Sequence, residues 1–293
     1  MKNAKQCNLV TTFLALLMGG FMLIVSCIGC LSPIRANAES DIAYSDSLYG
    51  DPVGTITTVA YDIEYDSYEI TERVAYDNAP TYANRFESFK NYCGPITGMN
   101  MVAFYDRWFT NLIPSFDPGM SFSNGSYLYF PDQGKPQTES AYSDLYYLMK
   151  TDTVGGTTSA NFRNGLESFV ESAGYSCSFS SFYSNEDTVN FNALKNAIDQ
   201  NKVGVIMCSE YNYVLQYGDN AAESKMQVVK NNSTIPHMMM VYGYKTYKYY
   251  RDGVNFQTDT LLYVTRSNGL SQLGYMIVND FQKIDEAWIA TIS

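Results

Sequence analysis

The chain has 293 residues, of which 46% are hydrophobic and 17% charged. That is a globular composition rather than a disordered one, with room for one large domain or two small ones. Its formal net charge of −11 argues against a nucleic-acid partner or an anionic lipid surface.

Residues 1–38 read as a secretory signal. Lys2 and Lys5 form a positive start, Leu9 to Ile28 is mostly apolar, Pro33 breaks the run, and Ala36-Asn37-Ala38 has the A-x-A cleavage pattern. A membrane anchor is the alternative, because the apolar run is near spanning length. Lipid attachment at Cys27 is another, since Ile24-Val25-Ser26-Cys27 loosely follows a lipobox. Cleavage after Ala38 is expected, giving a secreted, extracellular chain with no membrane segment. It removes Lys2, Lys5 and Arg35 and no acid, leaving 16 basic and 30 acidic residues, a net charge of −14. It also leaves three cysteines, Cys93, Cys177 and Cys208. An odd count leaves at least one thiol outside any intramolecular disulfide. Cys177 and Cys208, both in strand-like runs, are either a pair or two buried thiols, which singles out Cys93.

Residues 39–85 are acidic and rich in tyrosine. Thr55–Tyr61 and Tyr68–Ala75 alternate enough to suggest a hairpin. The segment is read either as the first strands of the domain or as a removable pro-segment. The stretch Asn91 to Trp108 then places Cys93 at the mouth of a helix. Pro95 suits a first turn, where no backbone donor is needed. Met99, Val102, Ala103 and Tyr105 to Trp108 supply an apolar face. A thiol at a helix N-terminus lies at the positive end of the dipole, which favours the nucleophilic thiolate.

A loop-rich insertion, Asn111 to Gln137, follows, and Ser140–Lys150 is helical in pattern. Thr158 or Ser159 caps a helix over Ala160–Ala173, with Phe162, Leu166, Phe169 and Val170 facing inward and Gly174 ending it. Tyr175–Phe182 reads as a strand. Asn190 or Asn192 caps a helix to Gln200, and Val203–Met207 is a buried strand. Tyr211–Asn231 is polar, a loop or a hairpin. His237–Tyr244, Leu261–Thr265 and Gly274–Val278 are further strands, with a hairpin turn at Asp252–Asp259. Helices first and an antiparallel sheet after them make an α+β fold.

His237 is the sole histidine. Zinc sites of the H-E-x-x-H type and any two-histidine site are therefore impossible, and no metal or cofactor is expected. A cysteine–histidine pair needs only one of each. The 144-residue separation of Cys93 and His237 falls in the ~130–150 range of papain-like enzymes, whose cysteine opens a helix.

Cys93-Gly94-Pro95-Ile96-Thr97-Gly98, running on to Tyr105-Asp106, resembles the C-G-P-T-A-G helix of papain-like cysteine peptidases. The nearest branch is that of the bacteriocin double-glycine leader peptidases and their secreted bacterial relatives. His237-Met-Met-Met-Val-Tyr-Gly-Tyr244 is similar to the histidine strand of that clan. The resemblance covers about Asn91 to Asp280. It implies a papain-like α+β fold over residues 86–293, with the cysteine helix packed on a C-terminal antiparallel sheet. It also implies a peptide or protein substrate and a Cys93–His237–Asn268 triad, with Asn268 orienting the imidazole and Asn279 and Asp280 as its competitors. Gly274-Tyr275 resembles the G-Y that closes the papain site. Where the clan usually has an oxyanion glutamine the chain has Glu87, and Asn91 is the substitute donor beside the Cys93 N–H. The other functions compatible with these residues are acyl transfer, cleavage of a cell-wall amide, and a catalytically inactive papain-like binding module. Glu87 and the aromatic insertion Phe116 to Phe130 motivate the last.

Overall fold

The computed structural model describes residues 54–75, 79–82, 89, 91–115, 120–123, 126–129, 136–151, 156–185, 188–267, 273–278 and 282–293. The signal segment, Cys27, Glu87, Asn268, Asn279 and Asp280 lie outside these residues.

Among the described residues, four helices and a large antiparallel sheet make up an α+β fold. The helices are α1 (Cys93–Tyr105), α2 (Pro136–Leu148), α3 (Ser159–Ser172) and α4 (Phe191–Asp199). The main strands are β1 (Ile56–Glu64), β2 (Ser67–Val74), β5 (Cys177–Ser181), β8 (Gly204–Asn220), β9 (Lys225–Ser233), β10 (His237–Arg251), β11 (Val254–Thr265), β12 (Leu273–Ile277) and β13 (Lys283–Ile292). Two small ribbons, β3 (Met120–Ser123) with β4 (Ser126–Tyr129) and β6 (Tyr183–Asn185) with β7 (Thr188–Val189), stand apart from it.

The sheet runs β1-β9-β8-β10-β11-β12, with β2 added to β10, β13 to β8 and β5 to β13. Two long strands each serve two neighbourhoods. Near its start β8 lies between β10 and β13, and from Tyr211 onward it pairs with β9. His237–Val241 of β10 pairs with β8, and Gly243–Tyr250 pairs with β2. The polar stretch after Tyr211 is thus the arm of a long hairpin. The expected hairpin at the N-terminus does not form. β1 pairs with β9 and β2 with β10, so two strands adjacent in sequence enter different parts of the sheet. The Asp252-Gly253 turn, with φ +52° and +74° at its two residues, joins β10 to β11 in the geometry that suits right-twisted strands.

The sheet carries two cores. One gathers the helices against the start of β8 and β10. In it α1 is buried on every side, all thirteen residues, rather than along one face as its apolar spacing suggests. The other is smaller and rich in tyrosine, with Tyr65, Tyr247 and Tyr249 beside Ile63, Met226, Val228 and Leu261. There the ring bodies are buried and the hydroxyls find acceptors. Tyr65 and Tyr68 bond Asp219, and Tyr217 donates to Asp259 at 2.8 Å.

Local sequence sets the helix ends. The Thr158 side chain accepts the Asn161 N–H at the start of α3, and Asn190 accepts that of Ala193 at the start of α4. Phe162, Leu166, Phe169 and Val170 are buried, as are Leu194, Ala197 and Ile198. Cys177 and Cys208 are buried thiols and do not form a disulfide.

One side chain ties β8 to β12. Asn212, fully buried, donates from Nδ2 to the Ile277 carbonyl at 2.9 Å and accepts the Ile277 N–H at 2.8 Å. Asn212→Ala would strand both main-chain groups in the interior. A loss of about 3 kcal/mol in unfolding free energy is expected, read from the urea midpoint.

Candidate active site

Cys93 is the first residue of α1 and His237 the first of β10. Both are buried, at 0% and 1% exposure. The helix packs against β10, and one side chain fixes where. The Thr97 hydroxyl lies 3.1 Å from the Met238 carbonyl oxygen and 3.0 Å from the Ser267 hydroxyl, hydrogen-bonding both. Thr97 is one helical turn beyond Cys93, about 6 Å along the axis, and Met238 is the neighbour of His237. The cysteine end of the helix, the histidine end of the strand and the residues just after β11 therefore meet at Thr97.

Thr157 packs closely against the start of α1. A Cβ on Gly94 would fall 2.5 Å from the Thr157 Oγ1, so a side chain here would push Thr157 away from the residue next to Cys93. Thr157 is itself buried and shares a 2.7 Å hydroxyl contact with Thr151. The N-cap residue Tyr92 contributes no side-chain hydrogen bond to the first turn. Asn91, two residues before Cys93, is buried and has φ +53°. Asparagine is among the few non-glycine residues that adopt the left-handed region readily.

His237 Nε2 lies 2.5 Å from the Arg266 carbonyl oxygen. A carbonyl only accepts, so this contact assigns the ring proton to Nε2 and leaves Nδ1 as the basic nitrogen. The same carbonyl accepts the Tyr213 hydroxyl at 3.0 Å. The Arg266 guanidinium sits over the Tyr213 ring, 4.7 Å from its centroid. A Cβ on Gly274 would come within 3.1 Å of the Arg266 side chain, so this glycine gives Arg266 its path. The Tyr211 ring stacks on the imidazole with centroids 5.5 Å apart. Burial, aided by the Arg266 charge and opposed by the bond to the Arg266 carbonyl, pulls the His237 pKa down to about 4.

Asn268, the expected orienting residue, falls outside the described residues, but the two positions before it are in contact with the site. Ser267 is buried, has φ +47° and is the Thr97 partner. A left-handed serine and a left-handed asparagine thus flank the site, the kind of backbone strain that collects at functional positions. The sequence reading overlooked Thr97, Tyr211, Tyr213, Arg266 and Ser267. The Tyr211-x-Tyr213 alternation was the available signal for two of them, in a stretch too polar to look buried. Among the described residues no group of histidine, cysteine or acidic side chains is arranged to hold a metal ion. Comparison with protein-family models, with curated proteins and with solved structures finds no match.

Proposed function

We propose that this chain is a secreted cysteine peptidase of papain-like architecture. The observation that carries the reading is the Thr97 bracket, which draws the Cys93 end of α1 and the His237 end of β10 to one place. In this reading Cys93 Sγ attacks a peptide carbonyl and its proton passes to His237 Nδ1. The oxyanion is held by the Cys93 N–H and the Asn91 side chain. His237 then protonates the departing amine, and water releases the acyl group from the thioester. The Arg266 carbonyl keeps the Nε2–H in place, with Asn268 two residues further on as the side chain proposed to complete the triad. The resemblance to the double-glycine leader peptidase branch supports the same roles, and the signal-like N-terminus supports secretion.

The test is alkylation by iodoacetamide at pH 6. Burial, with Glu167 and Glu171 nearby, pushes the Cys177 thiol up to about 12. Burial and Asp285 push Cys208 well above its ordinary value. Neither should react, and Cys93 should label at least about tenfold faster. Equal labelling of the three would end the thiolate reading. The closed state of both Cys93 and His237 favours a second reading, an inactive module that binds without cutting. Its signature is a native protein that neither labels at Cys93 nor hydrolyses peptide.

A further inference from the structure

His237 is the sole histidine, and its neutral imidazole has one proton for two nitrogens. Which nitrogen holds it decides whether the ring can take a proton from Cys93 or only present an N–H to it. That choice is set by the hydrogen bond made at the other nitrogen. At this site the bond goes to a main-chain oxygen, and a second side chain holds that oxygen.

The oxygen belongs to Arg266, the first residue after β11. It receives two donors, one for each lone pair: His237 Nε2 at 2.5 Å and the Tyr213 hydroxyl at 3.0 Å. The Tyr213 hydroxyl also lies 3.2 Å from the Met239 sulfur. It has one hydrogen to give, and a thioether is the weaker acceptor, so the hydrogen goes to the carbonyl. Tyr213 also meets the other end of the same residue, since the Arg266 guanidinium sits over its ring at 4.7 Å from the centroid. The position of Arg266 gives these contacts their effect. The β11 ladder ends at Thr265, and Ser267 turns left-handed at φ +47°. The peptide unit between Arg266 and Ser267 therefore lies beyond the ladder, where strand pairing does not set the direction of its oxygen. Tyr213, anchored in β8, supplies that direction from outside. Gly274 leaves the space it needs, because a Cβ there would meet the Arg266 Cγ at 3.1 Å and the Tyr213 Cδ1 at 3.8 Å.

We propose that Tyr213 is a positioning residue for the cysteine–histidine chemistry. Its hydroxyl aims the Arg266 carbonyl at Nε2, which keeps the ring proton there and reserves Nδ1 for the proton of the Cys93 thiol. The catalytic half of this rests on the peptidase reading, whereas the tautomer is a property of the folded chain whatever it acts on.

The experiment compares the full chain with Tyr213→Phe, which keeps the ring and removes only the hydroxyl. Both are isotope-labelled at nitrogen for NMR. A single histidine gives one pair of imidazole nitrogen resonances, and their shifts report the tautomer. At neutral pH the wild type should show Nε2 protonated and Nδ1 bare. Tyr213→Phe should move the nitrogen shifts toward the Nδ1–H form. Its kcat on a peptide substrate should fall about tenfold, with KM unchanged, as expected for a bias of one hydrogen bond. The loss of one hydroxyl leaves the chain folded, which the dispersion of its amide resonances checks. The proposal is overturned if the wild type carries its proton on Nδ1, if Tyr213→Phe keeps the wild-type nitrogen shifts, or if the variant loses activity only through KM. A wild type that hydrolyses no peptide ends the peptidase reading instead, and the nitrogen shifts of the two proteins then decide alone whether Tyr213 sets the tautomer.

Discussion

Cys93→Ala is expected to reduce peptide hydrolysis by a factor on the order of 10⁴ or more, to the level of the uncatalysed reaction plus whatever the oxyanion donors retain. The effect is large because in the proposed mechanism the variant removes the atom that forms the acyl bond. Cys177 lies in β5, paired with Ile292 of β13, and Cys208 pairs with His237 from β8. Burial holds both as thiols. Folding should survive the change. Cys93 is buried among apolar neighbours in the larger core, and the loss of one sulfur there costs about 1 kcal/mol. Casein digestion measured beside far-ultraviolet circular dichroism separates the two effects. A folded variant that still digests casein would leave no place for a thiol mechanism.

His237→Gln is the second change with a large expected effect. Loss of the proposed base should lower kcat/KM by about 10²–10⁴. The same substitution should also alter how stability depends on pH. In the folded chain the imidazole pKa is lowered to about 4, against about 6.5 for an exposed histidine. Between those values the unfolded chain binds a proton that the folded chain refuses. The folded state is therefore favoured fully above pH 6.5, and stability falls as the pH drops from there toward 4. The span of the shift corresponds to about 3 kcal/mol. Asp106 acts in the opposite sense. Burial raises its pKa to about 6, so its contribution grows as the pH falls through that value. Subtracting the variant's urea-unfolding free energies from those of the wild type cancels Asp106 and isolates His237. The difference should be flat above pH 6.5 and decline below it. A difference that stayed flat down to pH 4 would mean the imidazole is not buried in its neutral form.

Much of this was legible in the chain because local signals and tertiary packing agree. Thr158 and Asn190 are strong N-caps, Gly174 takes a left-handed φ of +87° after α3, and the helices between them carry one apolar stripe each. Cys93-Gly94-Pro95 marks a helix start by chemistry alone. The partnering of strands was not legible. Residues 56–64 and 67–74 alternate as a hairpin would, yet nothing in either stretch says that its neighbour is β9 or β10, which lie more than 150 positions away. β13 escaped notice because its first half, Lys283 to Glu286, is mostly charged before Ala287-Trp288-Ile289-Ala290 turns apolar. At the site, Cys93 and His237 stood out by type and spacing. The role of Arg266 did not, because the group that touches the imidazole is its main-chain oxygen, and a carbonyl has no letter in the sequence.

β8 and β10 each run through both cores without a break. The tyrosine-rich end of the sheet is consequently no detachable appendage. A protease nick or an engineered truncation there would sever the very strands that begin at Gly204 and His237. Whatever loosens the far end has a continuous covalent route to the imidazole, so the two ends of the sheet are built to hold together or to come apart as one.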